Sequence, residues 1–199
     1  MVGTPPGTGG RKDLTESIVR KTLEFYRDSG AVFTNEAFYR LLGEYPDIVC
    51  DYRFINSEDR NVKESVFPYR GADSHRLALE CAADDLIGDG KRLSFDTKNA
   101  KCGKLKSKAL FAPANSDDRS NYRRAFLSPV NGKSYSDRDF DRVNAVLFPG
   151  GSECLEVYRW TGGRSDHSGE FQEGRGALCL TVYDRTLERF VVITAPATD

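Results

Sequence analysis

The sequence predicts an α/β (α+β) protein with a central mixed β-sheet flanked by helices. Three observations lead to that class. Apolar residues recur at helical spacing over residues 14–29 and again within residues 74–87. Apolar or alternating runs of strand length lie at residues 47–55, 93–98, 143–148, 154–160, 177–183 and 189–194. Turn-forming residues, Asp89-Gly90 and Pro149-Gly150-Gly151, separate several of these runs. Hydrophobic residues make up 39% of the 199 positions, enough for one sizeable domain or a small domain joined to a medium one.

Taken in order, residues 1–12 (MVGTPPGTGGRK) predict a disordered, Gly/Pro-rich tail. Its PPGTGG piece resembles part of a phosphate-binding loop. Gly10 and Arg11 stand where the loop needs a lysine and a hydroxyl residue, so no nucleotide site is expected there. Residues 13–70 predict an N-terminal helical region with one strand. Leu14, Ile18, Thr22 and Phe25 form a helical stripe that Gly30 closes. Thr34 or Asn35 caps a second helix running through Leu42. The two helices suit either a helix-turn-helix reader or a cover for a sheet. Residues 47–55 (DIVCDYRFI) read as the strand.

Residues 71–199 predict the main α/β core. Residues 74–87 fit a helix capped by Ser74 and ended at Gly88, with Leu77, Ala78, Cys81, Ala82 and Leu86 on its apolar side. A break near Ala83 with a strand through Asp85, Leu86 and Ile87 is the alternative. Asp89-Gly90 then turns a hairpin into residues 93–98. Residues 143–148 (VNAVLF) are nearly all apolar and predict a central strand, followed by a more alternating strand at 154–160. A loop at 162–174 leads to a closing hairpin of 177–183 and 189–194, turning around 184–187.

Composition narrows the function classes. No apolar run is long enough to span a bilayer and no signal-peptide segment stands at the N-terminus, so a cytoplasmic protein without membrane contact is expected. Cys50, Cys81, Cys102, Cys154 and Cys179 are scattered and contain no C-x-x-C pair, which fits reduced thiols rather than a disulfide framework or zinc site. With only His75 and His167, catalysis must rest on carboxylates, lysine, tyrosine or cysteine. The net charge of −1 conceals an asymmetry. Between positions 98 and 133, Lys98, Lys101, Lys104, Lys106, Lys108, Arg119, Arg123, Arg124 and Lys133 meet only Asp117 and Asp118 as counter-charges. Such a stretch is either a solvated loop or an electrostatic footprint for phosphates.

The strongest chemical signal is KRLSFDTKNAK. Alternation over 93–98 puts Leu93, Phe95 and Thr97 on one face and Ser94, Asp96 and Lys98 on the other. A carboxylate and an ammonium side by side suit a metal ion and a phosphodiester. Metal-assisted hydrolysis needs at least one more carboxylate, which Asp84, Asp85 or Asp89 supplies from the preceding segment. Asp85 is favoured if 85–87 pairs with 93–98; Asp89 is favoured if the segment is helical.

The stretch AADDLIGDGKRLSFDTKNAK resembles the core of the PD-(D/E)xK nuclease superfamily, which includes type II restriction enzymes and archaeal Holliday-junction resolvases. The resemblance covers roughly residues 75–160. It implies a restriction-endonuclease-like core, with Asp85 and Asp96 as ligands of Mg2+ (or Mn2+) and Lys98 orienting the attacking water. Glu80 or Glu44 would add a helix carboxylate. The family pattern is departed from at Asp84, which stands before Asp85 in place of proline. Pro46-Asp47 is a literal PD, but reads as the start of a strand. The expected function is therefore a magnesium-dependent DNA endonuclease acting as a homodimer. Lys101, Lys104, Lys106, Lys108, Arg119, Arg123 and Arg124 would contact DNA phosphates, and Tyr122 would either stack on a base or anchor its loop. The alternatives are a non-enzymatic nucleic-acid-binding protein, or a protein-interaction module such as a phage-encoded inhibitor.

Overall fold

The computed structural model describes residues 34–56, 66, 69–88, 97, 99–113, 121–129, 132–161 and 178–195. Five strands form one sheet: β1 (Asp51–Asn56), β2 (Lys101–Leu105), β3 (Leu155–Thr161), β4 (Leu178–Asp184) and β5 (Arg189–Ala195). Their spatial order is β1-β5-β4-β3-β2, and every pairing is antiparallel. Helices lie on both faces. Residues 34–42 form α1, followed by α2 (Ala72–Gly88), α3 (Ser107–Leu110), α4 (Tyr122–Leu127) and α5 (Asp137–Leu147).

Strands β4 (LCLTVYD) and β5 (RFVVITA) are buried along their whole length, as expected where both faces of a sheet are covered. One face carries Val157, Leu180, Val182, Val191 and Ile193 against Phe38 of α1, Phe126 of α4, and Phe140, Val143 and Leu147 of α5. The other carries Trp160, Cys179, Phe190 and Val192 against Ala78, Leu79 and Ala82 of α2. The β4–β5 turn is held by Asp184, whose Oδ1 accepts from the Thr186 N–H at 2.9 Å. The Pro149-Gly150-Gly151 turn packs directly on it. A Cβ on Gly150 would overlap Thr186 Oγ1, and Gly151 has φ +69, which favours glycine.

The expected combination of helices and a central sheet is present, and three expectations need correction. The sheet is antiparallel among the described residues, not mixed. Residues 143–148 are not a central strand, because Val143 to Leu147 belong to α5. An apolar run does not distinguish buried helix from strand by itself; the deciding signals lie upstream. The Ser136 hydroxyl accepts from the Asp139 N–H at 3.3 Å while Asp139 Oδ2 accepts from the Ser136 N–H at 2.9 Å, closing a capping box. Phe140, Val143, Asn144 and Leu147 then face the core at helical spacing. Finally, residues 85–87 belong to α2, so they do not form a hairpin with 93–98. Buried Ala78, Leu79, Ala82 and Ala83 hold α2 to the sheet up to the position of the alternative break, and the helix runs on to Gly88.

Arg189 is fully buried at the start of β5. It donates to Asn35 of α1 and, at 2.5 Å, to the Leu147 carbonyl ending α5, with its guanidinium 4.7 Å from the Phe54 ring centre.

Two stability predictions test this packing. Ser136→Ala removes the α5 cap and should lower the thermal midpoint by about 2–4 °C, measured by circular dichroism; an unchanged midpoint contradicts the capping role. Arg189→Met strands its acceptors and should cost roughly 3 kcal/mol in denaturant unfolding, whereas a loss below about 1 kcal/mol shows the contacts to be dispensable.

Candidate nucleic-acid interface

Strand β2 is the last strand of the sheet and pairs only with β3 among the described residues. Lys101, Cys102, Gly103 and Lys104 are exposed along it, and Lys106 and Lys108 continue the exposed row into α3. Among the described residues, nothing lies within 4 Å of a Cβ placed on Gly103. Lys108 pairs with exposed Glu153 at 3.3 Å. Among the described residues, Lys101 and Lys106 have no ion-pair partner.

Lys104 is the lysine that the fold fixes. It lies opposite Tyr158 in the β2–β3 register and donates to Glu156 Oε1 at 2.9 Å, while Arg185 donates to Glu156 Oε2, also at 2.9 Å. The Glu156 side chain is 8% exposed, against 60% for Lys104 and 55% for Arg185. Burial alone would raise the Glu156 pKa. Hydrogen bonds from Lys104, Tyr69 and Arg185 outweigh it and hold the carboxylate at about 2. The Tyr69 hydroxyl is correspondingly raised, first by burial and then by donating to Glu156.

Behind this edge the polar network continues under α2. Tyr69 stacks on Tyr183 with centroids 4.1 Å apart, and its hydroxyl lies 3.4 Å from His75 Nε2. His75 is fully buried; its Nδ1 is 2.8 Å from Thr181 Oγ1, which also accepts from Trp160 Nε1 at 2.9 Å. Arg76 lies over the Trp160 ring at 5.1 Å and donates to the carbonyls of Thr97 and Ala100 at 2.5 and 3.2 Å. One connected set of contacts therefore links α2, β3, β4 and the residues entering β2.

The expected site residues are placed unequally. Asp84 and Asp85 lie near the end of α2, and Glu80 is half-buried on the same helix. Asp89, Asp96, Lys98 and Arg119 lie outside the described residues. Among the described residues no three His, Cys, Asp or Glu side chains converge to hold a metal ion, and no helix is long and apolar enough to cross a membrane. Glu44 forms a surface pair with Arg142 at 2.8 Å. Arg123 is committed to Asp137 at 2.9 Å and to the Phe111 carbonyl at 3.1 Å, with its side chain only 14% exposed. Arg124 is half-buried on α4. Tyr122 is buried and anchors rather than presents a ring, donating to Asn144 Oδ1 at 3.0 Å.

Tyr69, His75, Glu156, Tyr158 and Arg185 were not singled out from sequence. The available signal was Glu156 between apolar Leu155 and Val157: an acid inside a buried strand requires a partner. No protein-family model, curated protein or solved structure matches the chain.

His75 supplies a pH prediction. Burial lowers its pKa to about 3, while an unfolded histidine titrates near ~6.5. Between those values the unfolded chain binds a proton that the native ring does not, so native stability is complete above about 6.5 and falls as the pH drops toward 3. His75→Gln should flatten the thermal midpoint's dependence on pH across that window. Parallel wild-type and variant curves would rule out a buried neutral His75.

Proposed function

We propose that this protein binds nucleic acid through the lysine-bearing outer edge of its sheet. One observation carries the reading: Lys101, Lys104, Lys106 and Lys108 follow one another, exposed, along β2 and into α3. A nucleic-acid backbone is a regular row of negative charge, and a row of ammonium groups neutralises it without demanding a base sequence. The same lysines oppose a second copy of β2 lying alongside, so this edge disfavours self-pairing and leaves its charge for a polyanion.

A second reading, a magnesium-dependent endonuclease with a restriction-endonuclease-like core, is favoured by the Arg76 contacts. They tie the chain at Thr97 and Ala100 to α2, and Asp96 and Lys98 flank Thr97 in sequence. Glu80 follows Arg76 by one turn on the same helix. In this reading Asp96, with Asp89 or Glu80, would hold Mg2+ (or Mn2+), which lowers the pKa of a bound water for attack on phosphorus. Lys98 would orient that water.

Both readings are tested with the full chain and labelled mixed-sequence DNA. Two to four phosphate contacts predict an affinity loss on the order of 10- to 10²-fold between about 50 and 200 mM salt. Lys101→Glu combined with Lys106→Glu should abolish low-salt binding; undiminished retention by that variant sinks the proposed surface. Cleavage with magnesium but not EDTA, lost in Asp96→Ala and Lys98→Ala while binding persists, supports the endonuclease. Binding without cleavage removes the endonuclease and leaves the binding protein. Absence of any DNA retention at low salt favours the protein-interaction alternative.

A further inference from the structure

We propose that the nucleic acid taken by this edge is single-stranded, and that Tyr158 is the ring on which one of its bases stacks. The inference rests on the nucleic-acid reading above and specifies its ligand.

The arrangement of the cations carries the first step. Lys101 and Lys104 stand three residues apart on an extended strand, a span of roughly 10 Å at about 3.3 Å per residue, so they project from opposite faces of the edge, with Lys104 on the Tyr158 side, and exposed Lys106 follows just beyond the strand. These cations line a strand edge. Most duplex readers instead present a helix with free basic and polar side chains to a groove. The described helices do not offer one. On α5, exposed Arg138 and Arg142 alternate with Asp137 and Asp141, and Arg142 is held by Glu44.

The second step concerns the ring beside this edge. Single-strand binders combine a basic groove with aromatic platforms, because every base has a face that stacks. Tyr158 is half-buried on β3, directly opposite Lys104. The Lys104 ammonium lies 5.9 Å from its ring centre. His75 backs the ring at 4.4 Å and is itself fixed by Thr181 at 2.8 Å. A rigidly backed ring next to a lysine lets one nucleotide place its base on Tyr158 and its phosphate near Lys104.

Glu156 supplies the third step. By bonding Lys104 and Arg185 at 2.9 Å each, it places two half-exposed cations on the Tyr158 face before any ligand arrives. Preorganisation of this kind reduces the ordering cost of binding.

The test compares a labelled single strand of about a dozen nucleotides with its duplex by fluorescence anisotropy, using the full chain at low salt. The single strand should bind at least about tenfold tighter. Tyr158→Leu should weaken it about tenfold without altering the salt slope, and Tyr158→Phe should bind as wild type. Lys101→Ala with Lys106→Ala should instead make the slope shallower by about 1.4, two contacts at ~0.7 each. Trp160, the only tryptophan, lies two residues beyond Tyr158 on the same face, and its emission verifies that each variant retains native packing. Equal affinity for duplex, or wild-type binding by natively packed Tyr158→Leu, overturns the single-strand inference and leaves the binding surface standing. Failure of both nucleic acids to bind takes down the nucleic-acid reading itself.

Discussion

The buried guanidinium of Arg189 is the constraint on which the layering of this protein depends. Arginine has no neutral form to adopt when it is taken out of water, so its burial obliges the surroundings to supply acceptors. Asn35 comes from α1, the Leu147 carbonyl from the end of α5, and the Phe54 face from β1. The carbonyl at a helix C-terminus is a natural partner, because the last carbonyls of a helix have no intrahelical donor and carry the negative end of its dipole. Arg189 thus fixes two helices and an edge strand relative to the central strands. Its cross-strand neighbour Asp184 is equally buried, and burial raises the Asp184 pKa against the lowering effect of Arg189. The aspartate in turn shapes the tight β4–β5 turn.

The opposite face is organised by Thr181. Its hydroxyl meets His75 from α2 and Trp160 from β3, so the helix and the strands share one polar anchor within an apolar layer. Burial at that anchor keeps His75 neutral, and the neutral ring backs Tyr158 without placing a second positive charge beneath Lys104. The Tyr52, Tyr122 and Asn144 chain does comparable work on the first face, with a 3.0 Å contact between the two hydroxyls. Buried polar groups satisfied in this way favour one arrangement of the core over its alternatives.

The legibility of the sequence followed from how much each segment is determined by its own residues. β3, β4 and β5 were readable because their apolar residues recur over full strand lengths between clear turns. β1 begins later than expected, at Asp51; Asp47, beyond Pro46, instead accepts from the Lys133 N–H at 3.2 Å. Residues 143–148 read as a strand by themselves, because the helical nature of Val143 to Leu147 depends on Ser136 and Asp139 before them. β2 was hidden within a basic stretch, since KCGKL has no apolar alternation and four of its five residues are exposed. Of the Tyr69, Glu156 and Arg185 cluster, only Glu156 leaves a trace in sequence, as an acid between apolar Leu155 and Val157. The cluster is assembled by strand pairing, with β3 placing Glu156 across from Tyr183 and the ensuing turn delivering Arg185.

The two edges of the sheet show why charge counting along the sequence overstates the binding surface. At the β1 edge, the Tyr39 hydroxyl donates to the Tyr52 carbonyl at 2.9 Å, and Phe38, Tyr39 and Phe54 pack edge to face. At the β2 edge no further described strand pairs with β2, and the cations there are unequal. A carboxylate held at about 2 stays ionised throughout the neutral range, so Lys104, Arg185 and Glu156 together present one net positive charge rather than two. Lys108 is opposed by Glu153, and Arg123 lies inward against Asp137 and Asp141. Among the described residues, the lysines of this edge without an ion-pair partner are Lys101 and Lys106. The fixed geometry resides in Lys104 and the Tyr158 ring beside it. Affinity for a polyanion would respond to salt mainly through the first pair, whereas discrimination among polyanions would depend on the second.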